Sequence, residues 1–491
     1  MTTQDYLELI DKVNEQGKYK ADWESLAHHK VPEWYIHDKL GLFIHWGIYS
    51  VPACGSEWYS RHMYDPSTRE YEHHRRTYGE QKDFGYKDFI PMFKAEKFDA
   101  SEWVSLFKKA GIKYVMPVAE HHDGFAMYDT EFNCWNAKEM GPCHDVVGEL
   151  KAECEKQGLT LCASTHRAEH YFFMNMGRII DSDVNDENYR DFYRPAVYCK
   201  EFHSQDLHKY SADAYAKGAS KEWLEDWLVR TCELIDKYQP AVLYFDWWIH
   251  NHSFKPYLKK LAAYYYNRAE EWGKEVTINY KHEAFPPTVA TFDVERGALS
   301  GISPLYWQTD TAIGKKSWGY TEDNEFKSSR QIISDLIDIV SKNGNLLINI
   351  GPKPDGSITK EETKVLLDMG EWLTVNGEGI YGTTFWKTFG EGETNAEEGF
   401  FKDNEEKPFT SEDFRFTYKN GYLYAFQMRP SKTVRIKTLK KRNSHDYLIE
   451  GVELLGSEEK ITFDRNGECL EINLKNDPET DLPICFKIAI G

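Results

Sequence analysis

The stretch Asp99-Ala-Ser-Glu-Trp-Val-Ser-Leu-Phe-Lys-Lys-Ala-Gly111-Ile-Lys-Tyr-Val-Met-Pro-Val118-Ala-Glu120-His121-His122-Asp123-Gly124 holds one complete unit of the architecture. Asp99 and Ser101 are N-cap candidates for a helix from Glu102 to Ala110, because a short polar side chain satisfies the open amides of a first turn. Gly111 ends that helix, glycine being the residue that takes a left-handed stop at least cost. Lys113 to Val118 then reads as a strand, too short for a helix. It delivers a run of ionisable side chains, Glu120 to Asp123, at its C-terminal end.

The same unit recurs on both sides. A helix from about Asp145 to Gln157 stops at Gly158, and the strand Leu159 to Ser164 delivers His166, Glu169 and His170. The helix Lys221 to Tyr238 precedes Pro240-Ala-Val-Leu-Tyr-Phe-Asp246-Trp-Trp248, an apolar run closed by a carboxylate and two indoles. Helix Pro256 to Trp272 leads to strand Val276 to Tyr280 and Lys281. Helix Ser329 to Lys342 leads through Gly344 to Leu346–Ile350. Upstream, Leu42 to Ile44 is a first strand ending at His45 and Trp46. Helix, glycine, strand and polar cluster in this order predict an α/β fold, a (β/α)8-like TIM-type barrel whose active face is the C-terminal rim. A doubly wound open sheet is the alternative, but it binds at one switch point instead of drawing residues from many strands.

After Trp386 the texture changes. Glu391 to Lys407 is acidic, Gly-rich and loop-like. Short alternating segments follow: Phe414 to Tyr418, Tyr422 to Met428, Val434 to Lys437, Ile461 to Asp464 and Leu470 to Leu474. Asn420-Gly421 and Asn466-Gly467 mark tight hairpin turns. The expected organisation is a catalytic barrel with a helical lead-in over residues 1–388, then a C-terminal antiparallel β-sandwich over 389–491.

The 491 residues carry a formal net charge of -20, which argues against nucleic acid or an anionic membrane as partner. No apolar run approaches a membrane span. The N-terminus lacks the basic and apolar regions of a signal peptide. Nine cysteines without CxxC spacing suit free thiols better than a disulfide framework. A cytoplasmic location is expected; a secreted or periplasmic origin with the signal removed is the alternative. Aromatic content of 15% suits carbohydrate, although aromatic rings are also ordinary core residues.

His45, His121, His122, His166 and His170 all fall at strand ends of one barrel. A metal hydrolase would need imidazole and carboxylate ligands converging. A glycosidase would need imidazole and indole donors for sugar hydroxyls beside two carboxyls. No HExxH or HxH spacing favours zinc. Paired carboxylates are available in Asp246 and in Phe292-Asp293-Val294-Glu295-Arg296-Gly297. Trp beside Asp246 offers an apolar sugar face and a nucleophile together; the plainer reading of Asp246 is a helix N-cap.

In this order the chain carries Phe43-Ile-His45-Trp-Gly-Ile-Tyr-Ser-Val-Pro52, Gly55-Ser-Glu57-Trp58-Tyr59, His121-His122-Asp-Gly-Phe125, Tyr244-Phe-Asp246, Ser317-Trp318-Gly-Tyr320 and Asn349-Ile-Gly-Pro-Lys-Pro-Asp-Gly356. These blocks, spread over about residues 35 to 390, resemble the α-L-fucosidases of glycoside hydrolase family 29. The resemblance implies a barrel followed by a sandwich, and a retaining exo-glycosidase with no metal and no organic cofactor. Asp246 would be its nucleophile and Glu295 its acid/base, with Asp293 and Glu283 as nearby competitors. Its substrate would be a fucosylated oligosaccharide or glycoconjugate.

The resemblance further implies that His45, Glu57, Trp58, His121 and His122 hold the ring hydroxyls. Tyr244 takes a place where relatives often have Trp. Lys281 falls where many have Arg, keeping the charge without the planar fork. Glu169 and His170 stand where relatives have an acid followed by Trp, and are placed in the same pocket. Trp318, Asn349 and Lys353 either touch substrate or brace the barrel. Trp307-Gln308-Thr309 departs from the Trp-Glu-x-Cys of the animal enzymes, so Gln308 is no rival acid. The remaining alternatives are a non-catalytic fucose-binding relative, a metal-dependent hydrolase, and a glycosidase for a like-configured sugar such as L-galactose. The insertion from Asp181 to Ser220 reads as a wall of the aglycone site or as the contact of a homo-oligomer.

Overall fold

Among the described residues nine strands, all parallel, close into one barrel: β1 (Leu40–Ile44), β2 (Tyr114–Glu120), β3 (Thr160–Leu161), β4 (Ala163–Thr165), β5 (Val242–Phe245), β6 (Thr277–Tyr280), β7 (Thr291–Glu295), β8 (Trp307–Ala312) and β9 (Gly344–Ile350). The structure is a computed structural model that describes residues 1–198, 218–443 and 446–491. β3 and β4 are two pieces of one position, broken at Cys162, so the barrel has eight staves. β1 closes it by pairing with both β2 and β9. Almost every strand residue is buried on both faces, as a parallel sheet wrapped by helices requires.

Of the two cap candidates Asp99 is the cap, and its helix starts at Ala100, two residues before the expected Glu102. Asp99 accepts from the Ser101 and Glu102 amides at 2.8 and 3.0 Å, and helix Ala100–Lys109 follows. Ser220 caps Lys221–Tyr238, and Gly158 stops Val146–Gln157 in a left-handed conformation. The connections β6–β7 and β7–β8 carry no helix. On that side the segment after residue 391 packs instead, its Gly399 bridging Ala298.

The C-terminal part is a sandwich of two antiparallel sheets. β10 (Thr384–Glu391), β11 (Phe414–Lys419), β12 (Tyr422–Gln427), β14 (Ile449–Leu454) and β17 (Ile484–Ile490) form one; β13 (Thr433–Ile436), β15 (Thr462–Arg465) and β16 (Leu470–Asn473) form the other. Phe414, Phe416, Leu423 and Ile488 from the first meet Val434, Ile436 and Ile472 from the second in one core. All five expected strand segments lie in it; β14, β17 and β10 were not expected. β10 begins at Thr384, upstream of the 388/389 boundary. Asn420 and Gly421 both have positive φ, 51° and 85°, which is the primed turn their sequence demands. Residues 199–217 of the 181–220 insertion lie outside the described residues. Among the described residues no helix is long and apolar enough to cross a membrane.

Candidate active site

The chemistry collects at the C-terminal ends of the strands. His45 follows β1, His121 and His122 follow β2, His166 follows β4, Asp246 follows β5, Lys281 follows β6, and Glu295 is the last residue of β7. They line a cavity of about 360 Å³ together with Glu57, Trp58, Glu169, Tyr244, Trp247, Asp310 and Trp318. Its floor is solid, because Phe43, Tyr114, Met116, Cys162, Val242, Tyr244 and Leu347 fill the barrel axis. Residues that directly or closely follow three of these groups, Trp248, His282 and Arg296, have φ of 74°, 51° and 46°. Left-handed backbone at non-glycine residues is uncommon and is held only where surroundings impose it.

Asp246 is buried among cations and imidazoles. Its Oδ2 lies 3.1 Å from His166 Nδ1 and 3.2 Å from His122 Nε2, and its Oδ1 lies 3.4 Å from Lys281 Nζ. Burial alone would raise its pKa, but the Lys281 ammonium, His166 and His122 hold it well below the usual carboxylate range. It is therefore an anion at neutral pH.

Glu295 is in the opposite state. Its Oε2 accepts from Lys281 Nζ and from Trp247 Nε1, each at 2.5 Å. Burial pushes it up, Lys281 opposes, and the charges of Asp246 and Asp310 add to the push, leaving it at about 7. Lys281, 2% exposed, stands at the centre of four carboxyls, with Asp310 at 3.6 Å and Asp293 at 3.9 Å completing the set. Burial works against its charge, but Asp310, Glu295 and Asp246 keep it protonated. Asp293 is fully buried; burial first, then Asp310, holds it well above the carboxylate range. It accepts from Gln308 Nε2 at 2.8 Å and does not border the cavity.

The walls are imidazoles, a carboxyl and aromatic rings. Burial first, then His166, drives His45 well below the ordinary imidazole value; burial and His122 do the same to His121. Asn349 orients His45 through a 2.6 Å contact to Nδ1, leaving Nε2 toward the cavity. Asn349 thus braces a wall residue. Glu57 Oε2 accepts from Ser317 Oγ and the Trp318 amide, both at 2.9 Å, and Glu57 has no ion-pair partner among the described residues. Trp318 stacks on His45 at 5.2 Å. Tyr244 donates to Asp310 Oδ2 at 2.7 Å, so its hydroxyl serves the carboxyl cluster while its ring borders the cavity.

His170 is corrected. It does not border the cavity; its Nδ1 and Nε2 lie 2.8 and 3.1 Å from the His122 and Phe192 carbonyl oxygens. Burial, with Arg167 nearby, lowers it to about 3, so the neutral ring donates to one of them. The short 3-10 turn Arg167–Tyr171 swings it behind the rim onto Gly124. A Cβ at Gly124, whose φ is +79°, would sit 2.6 Å from the His170 ring, so the glycine is what lets His170 pack there. It is Glu169 of that pair that reaches the cavity, 3.6 Å from His122 Nδ1. His166 had been grouped with the other histidines but given no role, although it contacts Asp246 directly. Trp247, read from the sequence as a sugar face beside Asp246, borders the cavity; Asp310, Phe401, Asp403 and Asn404 border it too and carry no local signal.

Ring nitrogens of His45, His121 and His166 lie within 4.8 Å of one another, as do ligand atoms of His122, His166 and Asp246. The nitrogens of His166 are engaged by Asp246 and by Ser164 Oγ at 2.9 Å, and His122 Nδ1 donates to the His166 carbonyl at 2.9 Å. His122 and His166 are arranged as hydrogen-bonding partners of the Asp246 carboxylate.

A floored barrel pocket with an anionic carboxylate, a second carboxyl poised near neutrality and walls of imidazole and indole defines a glycoside hydrolase. The comparisons agree: the family model described as Alpha-L-fucosidase matches residues 7–378, and the chain belongs to that family. It is 30% identical to the tissue alpha-L-fucosidase of Bos taurus over 374 residues, 75% of this chain and 73% of that protein. Against the plasma alpha-L-fucosidase of Homo sapiens it is 30% identical over 391 residues, 76% of this chain and 73% of the other. The solved structure of Thermotoga maritima alpha-fucosidase superposes with a TM-score of 0.74 at 29% identity, covering 96% of this chain and 100% of that one.

Proposed function

We propose that the protein is a retaining exo-α-L-fucosidase that releases terminal α-L-fucose from glycans, with Asp246 as nucleophile and Glu295 as acid/base. One observation carries this reading: the two carboxyls share the Lys281 ammonium, at 3.4 and 2.5 Å. Those distances cap the separation of the two bonded oxygens at 5.9 Å. Double displacement uses a spacing of roughly 5–5.5 Å, whereas inversion needs room for a water at roughly 6.5–9.5 Å.

Asp246 Oδ attacks the anomeric carbon while protonated Glu295 donates to the departing glycosidic oxygen. The glycosidic bond breaks as the Asp246 ester forms. Glu295, now ionised, takes a proton from water, whose oxygen attacks the same carbon and frees Asp246. A group at about 7 is suited to both halves of this cycle. The solid floor favours a chain end over a chain interior. His45, His121, His122 and Glu57 offer donors and acceptors to the ring hydroxyls, and Trp58 and Trp318 offer faces to its C–H groups.

The test is release of fucose from an aryl α-L-fucoside by wild type, Asp246→Ala and Glu295→Ala. Asp246→Ala is expected to fold and be inactive; full activity would overturn the nucleophile. Azide is expected to restore Glu295→Ala in part, because it needs no general base. Rescue of a Glu283 or Asp293 variant instead would move the acid/base.

A further inference from the structure

The acidic loop after β10 has no part in this cycle, yet it reaches the acid/base. Phe401 N–H donates to the Glu295 carbonyl at 3.0 Å and Lys402 N–H to the Arg296 carbonyl at 2.7 Å, while Gly399 and Ala298 exchange both backbone bonds. Gly297 is what admits this approach: a Cβ there would sit 2.0 Å from the Gly399 carbonyl oxygen. Asp403 latches the segment down, accepting from Lys327 Nζ at 2.5 Å, from Arg296 Nε at 3.3 Å and from Thr311 Oγ1. The strap 398–404 is thus fixed to β7 and β8.

Of its two phenylalanines, Phe400 packs against the core and stacks on His282 at 5.5 Å, while Phe401 is displayed. Phe401 has φ of +57° and stays 39% exposed at the border of the cavity, with its backbone anchored on both sides. An apolar ring kept out of the core on left-handed backbone is a platform for something. The Trp247 ring lies nearly parallel to it, at 17° and 6.5 Å between centroids. Trp247 is itself bonded through Nε1 to the Glu295 carboxyl.

We propose that Trp247 and the strap, through Phe401, form the subsite for the sugar that fucose leaves, a pyranoside whose C–H face lies on these rings. The proposal rests on Glu295 as the acid, because the departing oxygen must lie within hydrogen-bond reach of that carboxyl. Trp247, bonded through its ring to the Glu295 carboxyl, and Phe401, held by its amide on the Glu295 carbonyl, both border the cavity where the departing sugar would lie. Asn404 and Lys315, both bordering the cavity, are tied to Arg296 at 3.3 and 3.1 Å and supply polar groups for its hydroxyls.

The test compares kcat/KM for a fucosylated disaccharide with that for α-L-fucosyl fluoride, whose leaving group is a single atom. In Phe401→Ala the disaccharide-to-fluoride ratio is expected to fall about three- to tenfold, the worth of one aromatic face. Phe401→Tyr, which keeps the face, is expected to hold it. Should Phe401→Ala not fold, Phe401→Leu gives the same readout with apolar bulk retained. A ratio equal to wild type, whether both rates hold or both fall, would overturn the subsite. Wild type inactive on both substrates would instead overturn the fucosidase reading beneath it, and azide failing to rescue Glu295→Ala would remove the acid on which the subsite rests.

Discussion

Replacing Lys281 with Met removes the one cation that four carboxyls share while keeping its volume. At an effective dielectric of about 20, an ammonium 3.4 Å away favours ionised Asp246 by about 5 kcal/mol. At about 1.4 kcal/mol per unit, that sets a ceiling of roughly three and a half pH units on the rise of its pKa. His166 and His122 remain and keep part of the effect. The acid limb of kcat/KM is therefore expected to move up by at least about one unit. Glu295, which Lys281 pulls down, moves up with it, so the whole bell shifts toward higher pH. Stability follows the same charges. Leaving buried carboxylates without their cation costs about 3–5 kcal/mol in urea unfolding at pH 7. Asp246, depressed in the fold, contributes stability above its unfolded pKa of about 3.9, lost as pH falls through the folded value. The gap between wild type and Lys281→Met should thus narrow on acidification. An acid limb unmoved in Lys281→Met would refute this electrostatic account.

In the wild type, kcat/KM should fall as pH rises through about 7, where Glu295 loses the proton it must donate; Glu295→Gln should lose that limb together with most of its activity. Asp310→Asn removes a charge that presses Glu295 upward, so its basic limb should move to lower pH, and an unmoved limb would remove Asp310 from the network.

The barrel was legible because its units repeat one physical pattern: a capped helix, a glycine stop, an apolar run and then ionisable groups. The helix read from Lys221 to Tyr238 matches to the residue. β8 was not legible. Trp307-Gln-Thr-Asp-Thr-Ala312 has no apolar run, since Gln308 and Asp310 face the carboxyl cluster inside the barrel. His170 was misplaced because a strand-end rule cannot see a 3-10 turn rotating one side chain behind the rim. His166 was visible, but nothing local says which two of five histidines, His122 and His166, reach Asp246. The strap was out of reach altogether. Phe401 lies over a hundred residues from Glu295, and only the missing helices beside β7 make room for it.

The most direct test of the central claim is to trap the sugar on the protein with 2-deoxy-2-fluoro-α-L-fucosyl fluoride, which forms a glycosyl ester faster than water removes it. Intact mass should rise by one fluorofucosyl unit as activity is lost, and peptide fragmentation should place the adduct on Asp246. An adduct on Glu295, Asp293 or Asp310, or turnover of the reagent with no adduct at all, would contradict it.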